Sequence, residues 1–245
     1  KINKDSGLGW KSLSTIRSLR YESKNDTILS SSLVRLSYDS YSNRTGFNFL
    51  LNSHFKNFFY IFLDLNVNPS NLFRTSLELI SKSKIIKSSG FGFQNEWVSM
   101  QIGTGAENWG AGNDIDLAIS ENSSNYDYLM LSSNYGNIRV NYIHGILERL
   151  DGNINRYINA RGLEWTNNEF IIVGLSETII YSGLNRSFEF AYLNPIASHI
   201  EIELNKRLTD SNTGSANAVW QLHFDCFLAN QHRFSFNYLI DEFVL

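Results

Sequence analysis

Between Ala218 and Leu228 the sequence alternates with a period of two. Ala218, Trp220, Leu222, Phe224, Cys226 and Leu228 fall on one face, and Val219, Gln221, His223, Asp225 and Phe227 on the other. A helix of 3.6 residues per turn would scatter both sets, so this segment is a strand with one apolar and one polar face. Phe59–Val67 repeats the pattern, and so does Phe170–Ile179, where Glu177 interrupts the face of Ile171, Val173, Leu175 and Ile179. Weaker alternation marks Ile28–Tyr38, Thr45–Leu51, Leu72–Ile80, Phe91–Ile102, Tyr126–Ser132, Ile138–Leu147, Tyr157–Trp165, Ile200–Leu208 and Phe234–Val244. Turn chemistry separates these runs, as at Asn134-Tyr135-Gly136-Asn137 and Asp151-Gly152-Asn153. About a dozen strands of this length and spacing predict an all-β protein, an antiparallel outer-membrane-type β-barrel or a large part of one. Short helical segments are expected in the loops at Ile115–Ser120 and Ser187–Ser198. No repeat or linker divides the chain, so residues 1–245 read as one barrel domain, incomplete at both ends. A soluble sandwich or propeller also alternates, but with shorter strands and more Gly and Pro at its turns than the two prolines here.

Composition narrows the classes. Charged residues make up 18% of the chain, and neutral polar residues fill the gap, with 29 Asn and 31 Ser. The net charge of −3 gives no basic stripe for nucleic acid. No run approaches the roughly 18 apolar residues of a spanning helix, so a membrane reading requires a closed barrel. Cys226 is the one cysteine and sits among Phe224, Phe227 and Leu228, which suits a buried or lipid-facing thiol. The histidines at 54, 144, 199, 223 and 232 show no metal-ligand spacing, and no metal or other cofactor is expected.

Three stretches exceed generic strand and turn. The first runs from Gly103-Thr104-Gly105-Ala106-Glu107-Asn108-Trp109-Gly110 to Leu117-Ala118-Ile119-Ser120-Glu121-Asn122. The second holds Arg161-Gly162-Leu163-Glu164-Trp165 and then Gly174-Leu175-Ser176-Glu177. The third is Tyr192-Leu193-Asn194-Pro195. Their order and spacing over residues 90–245 resemble the capsule-assembly Wzi family of outer-membrane proteins. The chain departs from that pattern where Ser123-Ser124 stands in place of a proline after the Ser-x-Asn stretch. The resemblance implies a non-enzymatic barrel in the bacterial outer membrane. Its partners would be membrane lipid and capsular or other surface polysaccharide, which it would help attach or assemble at the cell surface.

Glycans are held by an aromatic ring under the apolar sugar face, with amides and carboxylates on the hydroxyls. Glu107, Trp109, Asn113 and Asn122 are therefore the expected polysaccharide-binding residues, with a structural anchor as the competing role of Trp109. Arg161 and Glu177 are expected to form an ion pair in the barrel lumen, because a charge facing lipid costs about 2–4 kcal/mol for Arg or Lys. Arg161 and Glu164 differ by an odd number and cannot share a face. Two other functions compete. A channel for small polar solutes would have the same polar lumen. A glycan-active enzyme would need paired carboxylates, such as Glu96 with Glu107 or Glu164 with Glu177.

Overall fold

The computed structural model describes residues 28–241, apart from 40–43, 56–57, 68–85, 112–116, 121–122, 151–152, 203–215, 229–231 and the single positions 96, 108, 168, 195 and 200. Side chains are described from residue 49 onward. The described residues form one antiparallel sheet with strands β1 (Ile28–Asp39), β2 (Arg44–Phe55), β3 (Phe59–Val67), β4 (Ile86–Gln94), β5 (Val98–Gly105), β6 (Tyr126–Tyr135), β7 (Ile138–Leu150), β8 (Ile154–Thr166), β9 (Ile171–Leu184), β10 (Ala216–Leu228) and β11 (His232–Ile240). Each strand pairs with the next, so the sheet is an 11-stranded meander. It is not closed among the described residues. Strand direction alternates, so β1 and β11 run the same way, and an antiparallel closure needs an odd number of further strands.

The all-β expectation holds, with local corrections. Phe91–Ile102 is not one strand but β4 and β5, folded back at residues 95–97. The side-chain oxygen of Asn95 causes the turn by accepting from the amides of Trp97 and Val98, both at 2.8 Å. The expected strand Ile200–Leu208 begins instead in a helical turn, where the Ile202 amide donates to Ser198 O at 3.1 Å. Residues 203–208 and the expected strand Leu72–Ile80 lie outside the described residues. In Ile115–Ser120, Ile119 forms an isolated β-bridge to Trp109 rather than a helix. Among the described residues of Ser187–Ser198, helix is limited to one 3-10 turn, Phe190–Leu193.

Connections differ between the two ends of the sheet. One end carries only short turns, at residues 56–58, 95–97, 136–137, 167–170 and 229–231. At the other end consecutive strands are separated by longer stretches of sequence, 68–85, 106–125 and 185–215, and by 40–43 and 151–153.

The register sorts side chains cleanly between two faces. Tyr60, Gly92, Gln101, Met130, Ile143, Ala160 and Thr178 lie opposite one another along one row, and so share a face. Gln221, His223 and Asp225 belong to that face, as does Asn237, which pairs with His223. The other face carries Ile61, Phe91, Ile102, Leu163, Leu175, Leu222 and Phe236.

The first of these faces is concave. Glu107 Oε1 accepts from Tyr128 OH on β6 at 2.6 Å, and the Ala111 amide donates to Asn237 Oδ1 on β11 at 2.9 Å. On a flat sheet β6 and β11 stand about 24 Å apart, at roughly 4.8 Å per strand. Four residues of chain reach at most about 14 Å. Side chains rise nearly perpendicular to a sheet and close little of that lateral gap. The sheet therefore curls around the 106–120 loop.

Burial is inverted relative to a water-soluble sheet. Gln221, His223 and Asp225 on the concave face are buried, whereas Leu222 between them is 40% exposed. Ile61, Phe91, Ile102 and Leu163 on the convex face are also exposed. Trp220, Leu222 and Phe224 thus share the outer face and their polar neighbours the inner one, as the alternation predicts.

Candidate functional site

The concave face holds a polar network that grips the 106–120 loop. From the wall inward, Tyr60 OH donates to Gln101 Oε1 at 2.9 Å. Gln101 Nε2 donates to Tyr128 OH at 2.6 Å, and Tyr128 OH donates to Glu107. On the far side, Asn237 imitates a β-partner: it accepts from the Ala111 amide and donates to Ala111 O at 2.7 Å. Gln221 accepts from the Ala118 amide at 3.1 Å and donates to Trp109 O at 3.3 Å. Trp109 itself fills a cluster with Ile119, Tyr126, Tyr128, Met130, Ile143, Ile158 and Ala160.

These contacts correct the expected roles. Trp109 is 1% exposed, so its ring is not offered to a sugar and instead anchors the loop against the concave wall. Glu107 is 3% exposed and its carboxylate is engaged by Tyr128. Asn113 and Asn122 lie outside the described residues.

Rings pack flat on the concave wall where the adjoining strand carries glycine. A Cβ on Gly92 would come within 2.3 Å of the Tyr60 ring, and one on Gly174 within 2.1 Å of His223. Glycine is required at both places to let a ring lie against the backbone. Two carboxylates on this face have arginine partners. Arg139 approaches Glu164 at 3.4 Å, and Arg233 binds Asp225 with Nε at 2.9 Å and a second bond through Nη2. Ser235 adds a third bond to Asp225. Three further buried polar atoms, Asn141 Nδ2, Glu164 Oε1 and Ser176 Oγ, make no hydrogen bond among the described residues. They stand close together, since Asn141 and Ser176 both pair with Gly162 across β8 and Glu164 is two residues along that strand. Buried polar groups are normally satisfied, and these three residues are no more open to a glycan than Trp109, so the group marks where a buried water is best accommodated.

The Arg161–Glu177 pair exists, with Nε to Oε2 at 2.9 Å, but it is not a lumen pair. Arg161 pairs across β7 with Tyr142, and Glu177 across β10 with Trp220, which puts both on the convex face. The reason is the 185–202 segment, which folds back over that part of the wall. Arg161 Nη1 donates to Asn194 O at 3.1 Å and to Ala197 O, and Glu177 Oε1 accepts from the His199 amide at 3.2 Å. Tyr142 OH and Asn159 Nδ2 both donate to Tyr192 O at 2.8 Å. Tyr157, Tyr181 and Tyr192 stack with centroid spacings of 4.9 and 4.3 Å. The second and third stretches singled out in the sequence therefore meet in one joint. Glu177 sits there without a bulge, because β8 and β9 pair in unbroken register. Glu164 and Glu177 lie on opposite faces of the sheet, so they cannot flank one glycosidic bond, and Glu96 lies outside the described residues.

No search of the sequence for side-chain grips would have named Gln221 or Asn237 individually. The available signal was parity, since both lie opposite the apolar positions of their strands. Comparison with known proteins finds no matching family model, no matching curated protein and no matching solved structure, so the resemblance to the Wzi family rests on the residues quoted for it.

Proposed function

We propose that this chain forms the wall of a bacterial outer-membrane β-barrel whose polar interior binds surface polysaccharide, such as capsule, without chemistry. The observation that carries the membrane reading is the inverted sheet, with apolar side chains exposed on the convex face and polar ones buried on the concave face. Such a sheet is at odds with water on its outside and suited to lipid there. No helix among the described residues is long and apolar enough to cross a membrane, and strands can do so instead. The glycan reading draws on the neutral polar lining, in which amides and phenols such as Gln101, Gln221, Asn141 and Tyr128 dominate and the carboxylates Glu164 and Asp225 have arginine partners. Neutral donors and acceptors of this kind match sugar hydroxyls. A solute channel is the second reading, and the loop packed across the concave face weighs against it.

The test has two arms. Full-length protein should fractionate with the outer membrane and need detergent for extraction; recovery as soluble protein without detergent sinks the location. Folded protein should capture capsular polysaccharide. Absence of capture by the unmodified chain, together with steady single-channel conductance, favours the channel.

A further inference from the structure

We infer that the short-turn end of the sheet is seated at the inner boundary of the membrane by a girdle of aromatic side chains, so that the opposite end opens to the cell exterior. This rests on the membrane reading above. Each of the five short turns presents at least one exposed ring. They are Phe58 and Trp97 within the β2–β3 and β4–β5 turns, and, beside the other three turns, Tyr135 at the end of β6, Trp165 next to the end of β8 and Phe234 at the third position of β11. All five are at least 45% exposed. The turns are far apart in sequence and share only their position at one rim. A ring at every one of them costs solvation if that rim stands in water. At a membrane boundary the same rings are favoured, because their apolar bodies reach lipid while the Trp N–H and Tyr O–H reach the headgroups.

The opposite rim differs in chemistry. Its strand ends expose Lys87, Asp127, Glu148 and Arg149 beside Ile86, Leu150 and Leu184, and among the described residues its exposed rings, Phe188 and Phe190, lie in one stretch after β9 and not at every turn. Loop length then fixes which rim faces which way, since membrane barrels carry short turns on the periplasmic side and longer loops outside. The three longest stretches between strands leave from this rim. The loop that fills the concave face therefore enters from outside, the side from which surface polysaccharide arrives.

The test is cysteine accessibility in intact Gram-negative cells making the full-length protein. Ser124→Cys lies in the 106–125 connection and Asn137→Cys in the β6–β7 turn, and both positions are exposed. Cys226 is buried, and the unmodified chain gives the background. A membrane-impermeant maleimide should label Ser124→Cys in intact cells and Asn137→Cys only after the outer membrane is permeabilised. The reverse order overturns the orientation and leaves the membrane reading standing. Labelling of neither position before permeabilisation also overturns the orientation. Equal labelling of both in intact cells, with release of the protein without detergent, overturns the membrane reading itself.

Discussion

Two segments cover the same wall from opposite sides. The 106–120 loop packs on the concave face, and the 185–202 segment on the convex face. One row of the sheet shows why both are needed. Ile61, Phe91, Ile102 and Leu129 occupy successive strands on the convex side, and the row continues as His144, Asn159, Ile179 and Ala218. The row turns polar at His144 and Asn159, and there the 185–202 segment lies over it. On the concave face polar groups have one another and the loop as partners. On the convex face they are acceptable only under a cover, which supplies the carbonyls of Tyr192, Asn194 and Ala197. The two covers should therefore fail in different ways.

The largest effects are expected where a buried group loses its only compensation. Glu177→Ala leaves the Arg161 guanidinium under the convex cover without its carboxylate, and should cost about 3–5 kcal/mol in denaturant unfolding. The double variant Arg161→Met/Glu177→Leu should cost less than that single change; an equal or larger cost contradicts the assignment of a desolvated pair. Trp109→Ala should cost a similar roughly 3–5 kcal/mol through the cavity left under the concave loop. It should raise protease cleavage within 106–125 and leave 185–202 protected. Cleavage rising equally in both would show that the two covers are not independent.

Smaller effects sharpen the picture of the concave wall. Gly174→Val should cost roughly 1–3 kcal/mol by forcing the His223 ring from the backbone, and His223→Ala in the same chain should recover part of it. Without such recovery, the close approach of ring to glycine is not the cause. Smallest are the grips on the loop: Gln221→Ala and Asn237→Ala should each cost about 1 kcal/mol, read as faster amide exchange in 106–120. Unchanged exchange would mean that the Trp109 cluster and the Glu107–Tyr128 bond hold the loop without them.

Parity in the sequence is enough to place most of these groups. It separates Leu222 from Gln221 and Asp225, and Arg161 from Glu164, and the sheet keeps both separations. It also puts Glu177 on the face of Leu175. The rule that charges avoid lipid argued for turning Glu177 inward, yet the chain keeps the parity and covers the charge instead. That solution depends on a backbone segment arriving from residues 192–199, and periodicity within β9 carries no trace of it. The burial of Trp109 was illegible for a related reason. Its glycine-rich surroundings signal an irregular loop, but not that Gln221 and Asn237, more than a hundred residues later, hold that loop against the wall.

The claim on which the account turns is that the convex face meets lipid. Spin labels at Leu163→Cys and Leu222→Cys on the convex face, and at Ser235→Cys on the concave face, can be compared in full-length protein reconstituted in bilayers. Collision with oxygen, which concentrates in lipid, and with a water-soluble nickel chelate reports the surroundings of each label. The account predicts high oxygen and low nickel accessibility at 163 and 222, and low oxygen accessibility at 235. Nickel accessibility at 163 and 222 as high as that of a label on an aqueous loop would contradict it.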